Sequence, residues 1–332
     1  MRKVRIAQIG IGHDHADGIF NTLKAMPELF EIAGYALPEQ EKADYAHKLD
    51  CFSGFPELTV EQILNDPAIE AVAVETEERN LSKYALLAAR HGKHLHMDKP
   101  GGLSLAEFEQ LIDTVRENSR LLHLGYMYRY NTEIARVLEE ARCGQLGEVF
   151  CVEGQMSGIW PGTPEKRQWL QQFRGGVMFF LGCHMVDIVV RIMGKPEKII
   201  PLNGCTGLEG VTSEDFAMAA FVYKNGTSFV KSCSREVGGG NRRQIVVCGS
   251  EKTAEIKPLE YGVDGKLRTD MVYRSQTGET RQSNEPFLRY DRMMEAFAAM
   301  VRGERENPYS YDYELLVYKC TLLACGYEGI HL

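Results

Sequence analysis

A chain of 332 residues is long enough for two domains, each with its own core, so a small stapled scaffold is excluded. Hydrophobic residues make up 44% and charged residues 25%, the balance of a globular chain rather than a disordered one. With 38 Lys and Arg against 46 Asp and Glu, the net charge of -8 supplies no positive field for a phosphate backbone, and nucleic acid is not expected as a partner.

The most apolar stretch, residues 177–193, is interrupted by His184, Asp187 and Arg191, so it reads as a buried helix of a soluble protein and no membrane is expected. The start, Met1-Arg2-Lys3, is basic and then apolar, but Gln8 and three early glycines break the run, and the expected location is cytoplasmic. Nine cysteines, odd in number and without a C-x-x-C pair, indicate neither a disulfide framework nor a zinc site.

In chain order, short β-branched runs alternate with helical patterns over the first hundred residues, which predicts a doubly wound parallel sheet. Its strands are placed at 4–9, 32–37, 71–74, 94–97 and 121–126. Two helix starts are signed by Thr59 with Gln62 and by Ser104 with Glu107, each a capping box. Beyond residue 126 come a helix at 131–142, a strand at 148–156 and the apolar helix at 177–193. Strands then dominate at 198–202, 216–223, 227–235, 242–248 and 253–257, with a turn at Asn225-Gly226, before helices at 291–302 and 313–325. The predicted architecture is a dinucleotide-binding α/β domain over 1–124, followed by an α+β domain over 125–332. The second domain carries a large, mostly antiparallel open sheet, and its last helices pack back toward the first domain.

Residues 9–15, Ile-Gly-Ile-Gly-His-Asp-His, follow the first strand directly. Gly10 permits a tight turn and Gly12 a close backbone approach, so that a pyrophosphate can sit at a helix N-terminus. His15 stands at the third glycine of that fingerprint. The acid that would hold the adenosine ribose is replaced by Leu37, with Glu39 two residues on; no arginine stands nearby in sequence for a 2′-phosphate, so NAD is favoured over NADP. His13 and His15 invite a metal reading, but neighbours in a turn are not expected to converge, and no metal is predicted. A histidine facing the cofactor phosphate, or a plain helix-start residue, is expected instead.

The run His94 to Pro100 is a strand ending in Asp98-Lys99-Pro100, which puts Lys99 at the carboxyl end of a parallel strand, where ligands of open α/β sheets lie. A solvated loop lysine fits this segment equally well when it is taken alone. Taken together, the glycine loop, Asp98-Lys99-Pro100, Tyr128-Arg129-Tyr130-Asn131, Gly175-Gly176 and the segment Gly182 to Asp187 resemble the Gfo/Idh/MocA oxidoreductases over nearly the whole chain.

That resemblance implies an NAD(P)-dependent dehydrogenase or reductase acting on a sugar, polyol or related hydroxy compound, assembled as a homodimer or homotetramer through the second sheet. It makes Lys99 and His184 the catalytic pair. Arg129, Asn131 and Asp187 then contact substrate, and Thr76, Asp98 and Pro100 line the cofactor site with Gly10, Gly12, His13, His15 and Leu37. An imidazole suits a base for the hydroxyl proton, and an ammonium suits the developing alkoxide. Trp160 could cover an apolar sugar face, or be a core ring.

The family's usual aspartate four residues before the histidine is Phe180 here, and the loop after the third strand reads Thr76-Glu77 with Leu81 in place of a histidine. Asp187 could equally pair with Arg191 on its own helix, and Asn131 could be only a cap. Two other readings stay open: a ligand-sensing protein that keeps the dinucleotide fold without chemistry, and a family-type glycosidase that uses NAD transiently.

Overall fold

The computed structural model describes residues 2–38, 40–158, 163–237 and 242–332. The chain divides into two compact units. The first comprises Met1–Met127 with Tyr290–Leu315, and the second Tyr128–Arg289 with Leu316–Leu332. The break falls at 127/128 rather than 124/125, and the segment that returns to the first unit carries the helix Asp291–Val301.

The first unit is built on five parallel strands, β1 (Val4–Ile9), β2 (Phe30–Ala36), β3 (Ala71–Val74), β4 (His94–Met97) and β5 (Leu122–Leu124), in the order β2-β1-β3-β4-β5. β3 is buried at every position and β1 at all but one, the pattern of strands covered on both faces. An isolated parallel bridge from Tyr35 to Glu57 is what remains of a further strand outside β2, so the order is that of a doubly wound dinucleotide fold with its edge strand frayed to one residue. Thr59 and Gln62 form the complete capping box. Ser104 caps its helix through the Glu107 N–H, but the Glu107 carboxylate accepts from the Ser82 hydroxyl at 2.8 Å, so the reciprocal half of the box is absent.

The second unit is an eight-stranded sheet in the order β15-β14-β11-β10-β6-β9-β8-β7. Its strands are β6 (Val149–Ser157), β7 (Lys198–Pro201), β8 (Phe216–Tyr223), β9 (Gly226–Cys233), β10 (Arg243–Gly249), β11 (Thr253–Ile256), β14 (Asp270–Ser275) and β15 (Gly278–Ser283); the hairpin β12 (Tyr261–Val263) with β13 (Lys266–Arg268) stands apart. All pairs are antiparallel except β6 with β9. The polar hairpin β14–β15 extends the sheet beyond the sequence-based expectation. Its outer strand is exposed at nearly every position, so it carries no alternation of apolar and polar residues to read.

One face of this sheet is covered by the helix Cys183–Met193, which approaches so closely that a Cβ on Gly154 would lie 2.8 Å from Met185 Cβ. The apolar stretch expected as one helix is two pieces: a π-helical turn, Met178–Gly182, runs into the α-helix Cys183–Met193. Among the described residues, no helix is long and apolar enough to cross a membrane.

Candidate active site

β1 leads into the glycine loop, and the loop is held from behind. Gly10 has φ +96, a left-handed conformation that favours glycine, and a Cβ there would fall 2.5 Å from the Thr76 backbone nitrogen. The loop therefore packs on the exit of β3, which explains the place of Thr76. The Gln8 amide donates to the Gly10 carbonyl at 3.0 Å and to the Ala16 carbonyl at 3.2 Å, and fully buried Ala16 opens the helix Ala16–Ala25. With Ala16 as the small residue, the fold dispenses with the third glycine that His15 displaces.

The loop N–H groups converge on an anion. Glu41, 2% exposed, accepts through Oε2 from Ile11 N at 2.7 Å and Gly12 N at 3.0 Å, and through Oε1 from Glu77 N at 2.9 Å. The two N–H groups aimed at one carboxylate oxygen show that the loop fits a negatively charged group. Burial raises the Glu41 carboxyl above its ordinary range, while the three N–H donors pull it down. Leu37 packs, partly buried, against the apolar cluster of Ile11, Phe20 and Phe52. Glu39 lies outside the described residues. A cavity of about 320 Å³, lined by Gln40, Glu41, Asp44, Glu77, Arg79 and Asn80, opens at the same place. An arginine is thus near in space, although none is near in sequence, and it pairs with Glu77.

At the carboxyl ends of β1, β3 and β4 the first unit buries a dense set of titratable groups. Lys99 is 1% exposed, and its charge acts on His13, Glu75 and Glu78. Asp98 accepts from the Lys99 backbone N–H at 2.7 Å, and its Oδ2 lies 3.2 Å from His13 Nδ1 and 3.0 Å from His15 Nδ1. The two histidines therefore converge, against expectation, because the chain turns between them and the strand end presents Asp98 to both rings. His13 is wholly buried and faces Asp98 and the Lys99 carbonyl rather than the loop's anion cradle. A Cβ on Gly125 would come within 2.8 Å of Asp98 Oδ1, so β5 also closes on this carboxylate.

The electrostatics are those of a strained polar pocket. Burial lowers His13 and His96 to about 4 and raises Glu78 to about 8. Glu75 is pushed well above the carboxylate range, first by burial, then by the Asp98 charge and by the side-chain hydrogen bond that the two carboxyl groups share. His96 Nε2 stands 3.5 Å from Glu75 Oε1, and its Nδ1 pairs with His123 Nδ1 at 2.8 Å across adjacent strands. Glu41, Glu75, Glu78, His96 and His123 escaped the sequence reading. The available signal was the acid run Glu75-Thr76-Glu77-Glu78 at the carboxyl end of a parallel strand.

In the second unit, His184 is 2% exposed at the start of its helix, with the Tyr128 ring edge-on at 5.2 Å between centroids. The π-helical turn just before it changes the period, so Phe180 does not occupy the α-helical position one turn back; its ring packs on Trp169 and Phe173. Asp187 is engaged by Arg129: Arg129 Nε donates to Oδ2 at 2.9 Å and Nη2 to Oδ1 at 2.7 Å, with both side chains buried. Asn131 caps the helix Thr132–Arg142 by accepting from Glu133 N and Ile134 N, and it donates to Thr269 Oγ1 at 2.7 Å. Trp160 lies outside the described residues.

Comparison with known proteins agrees with this division. Residues 4–126 match the oxidoreductase family's NAD-binding Rossmann fold, and residues 134–255 match the Gfo/Idh/MocA C-terminal domain. The chain is 23% identical over 261 residues to an uncharacterized oxidoreductase of Rhizobium meliloti, a match covering 77% of this chain and 76% of that protein. It is also 23% identical over 257 residues to myo-inositol 2-dehydrogenase of Thermotoga maritima, covering 75% and 73%. In fold it is similar to aldose-aldose oxidoreductase from Caulobacter crescentus, with TM-score 0.80, 19% identity and 98% of each chain covered. Since one family's two domains account in turn for a unit each, the chain belongs to the Gfo/Idh/MocA oxidoreductases and carries their NAD-binding Rossmann fold at its N-terminal end.

Proposed function

We propose that this oxidoreductase exchanges a hydride between a nicotinamide dinucleotide and a hydroxyl-bearing carbon of a sugar or polyol, with Lys99 stabilising the oxygen whose charge changes. The observation that carries this reading is Lys99 itself: a lysine 1% exposed at the carboxyl end of a parallel strand, among Glu75, Glu78 and Asp98. Taking an ammonium out of water is costly, and such groups concentrate where charge develops in a reaction. The sugar or polyol class is supported by the relatives, one named for myo-inositol and one for aldoses, the latter solved with glycerol.

When bound, the nicotinamide supplies the hydride acceptor or donor; the chain's own part is to hold the dinucleotide and manage the hydroxyl proton. Ile11 and Gly12 offer N–H donors for the cofactor's oxygens, and Thr76 backs the turn. Glu41, which accepts from both of these N–H groups in the present structure, yields them to the cofactor's oxygens and presents its carboxylate to the ribose. The cavity beside it holds three acids, Glu41, Asp44 and Glu77, against one arginine already paired, and this favours NAD over NADP. In the second unit, His184 is assigned the hydroxyl proton, and a buried imidazole after a π-helical turn suits that task. Asp98 and Pro100 hold Lys99 in place. A homo-oligomer formed on the open face of the second sheet completes the reading; Phe229 and Ile200 lie half exposed among its strands.

The test measures NAD and NADP binding by calorimetry and reduction of nicotinamide over a panel of inositols, aldoses and small polyols. Lys99→Ala should remove turnover while cofactor affinity stays within about threefold. Tight NAD binding with no reduction on any member of the panel would favour the sensing reading instead.

A further inference from the structure

We propose that His13, His15 and Asp98 form a site for a divalent transition-metal ion of the zinc type, at the junction of the glycine loop and the end of β4. The inference goes beyond hydride transfer and does not depend on it. One ligand atom from each residue, His13 Nδ1, His15 Nδ1 and Asp98 Oδ2, falls in a cluster within 4.8 Å. The carboxylate oxygen stands 3.2 Å from the first nitrogen and 3.0 Å from the second. Ligands held 2.0–2.2 Å from one ion in tetrahedral or octahedral array lie roughly 2.8–3.6 Å from their neighbours. Both separations fall in that interval.

Hydrogen bonding assigns the donor atom of His13. Its Nε2 lies 3.1 Å from the Lys99 carbonyl oxygen, which can only accept, so the ring proton is on Nε2 and Nδ1 carries a lone pair. The His15 backbone N–H, 3.2 Å from the same Nδ1, points to the same assignment. In this structure that lone pair accepts from the His15 N–H, and an ion between Nδ1 and the Asp98 oxygen 3.2 Å away would take the place of that hydrogen bond. A metal-bound imidazole whose other nitrogen donates to a backbone carbonyl is the usual outer arrangement of such sites, and here Lys99 supplies the carbonyl.

A second observation points the same way. Glu75, wholly buried, is held against Asp98 by its charge and by a side-chain hydrogen bond, so two carboxyl groups and two imidazoles gather in one buried place. Two imidazoles with one carboxylate select zinc or a neighbouring first-row ion over calcium or magnesium. The His15 side chain is 13% exposed, which leaves the ion a route to solvent and a position for an oxygen ligand such as a hydroxyl. The rival cluster among the described residues, Cys151, Glu153 and Cys248 on the second sheet, is more open on all three sides and has no supporting hydrogen bond of this kind.

The experiment strips the full-length protein of metal, titrates it with Zn²⁺ by calorimetry, and records the visible spectrum with Co²⁺. The wild type should bind one equivalent and show a Co²⁺ band of imidazole and carboxylate coordination. His15→Ala and Asp98→Asn should each weaken binding by at least about tenfold, with far-UV circular dichroism unchanged, while Cys151→Ser with Cys248→Ser should bind as tightly as wild type. The proposal fails if the wild type takes up no zinc, if His15→Ala and Asp98→Asn bind as the wild type does, or if only the cysteine variant loses the ion. It fails equally if the Co²⁺ spectrum carries thiolate charge-transfer intensity.

Discussion

The two units bury charge in opposite ways. In the second, Arg129 and Asp187 meet as a two-point fork, both sealed from water, and each supplies the geometry that the other requires. In the first, Lys99 and Asp98 share a pocket at the strand ends with Glu75, Glu78, His13 and His96, and burial drives the protonation equilibria of these last four far from ordinary values. A satisfied pair holds a fold together. A crowded set with displaced equilibria stores unfavourable energy that the rest of the domain sustains, and such places tend to do chemistry.

If that contrast is right, mutations in the two places should fail in different assays. Lys99→Met should lower turnover by about a thousandfold or more and change the unfolding free energy by less than Asp187→Ala does, because Glu75 and Glu78 can answer the loss of the ammonium by holding their protons. A loss of stability with turnover kept would break the comparison at once. Asp187→Ala should do the reverse, costing about 3–5 kcal/mol in urea unfolding by leaving Arg129 charged and buried, and the double change Arg129→Met with Asp187→Leu should recover most of it. Recovery of stability without recovery of activity would add a substrate contact to the structural role of the pair.

Smaller effects sharpen the picture within the first unit. Glu41→Gln keeps the shape of the loop's anion mimic but removes its charge. It should narrow the preference for NAD over NADP by about tenfold in the ratio of dissociation constants, measured by calorimetry. An unchanged ratio would confine Glu41 to bracing the loop.

The least effect concerns His94, whose ring accepts from Leu121 N at 3.1 Å and so ties β4 to β5. Burial lowers its pKa, with Arg120 adding to the shift. The unfolded chain therefore binds the proton more readily, and this contribution to stability is full above about pH 6.5 and lost as the pH falls below it. His94→Gln should flatten the acid limb by at most about 1.4 kcal/mol per pH unit, read from urea midpoints.

Much of this was legible in the chain itself. Continuous apolar runs such as Ala71 to Val74 announced strands buried on both faces, and Thr59 with Gln62 announced a helix start, because those signals act over a few residues. Gly10 and Lys99 could be placed for the same reason: a turn after a first strand and a charged step at a strand end are local patterns. Glu41 could not be singled out because it arrives from a short helix, Glu41–Asp44, and meets the loop only in three dimensions.

Partnership was the part that order along the chain could not supply. Asp187 is gripped by Arg129, 58 residues distant; His13 and His15 looked divergent until Asp98, more than 80 residues on, came between them. The sequence by itself determined which residues are strands, turns and caps, since hydrophobic period and backbone preference are properties of neighbours. Only the tertiary structure decided which buried charges face one another, since that depends on how separate strand ends are brought side by side and how much water is left between them.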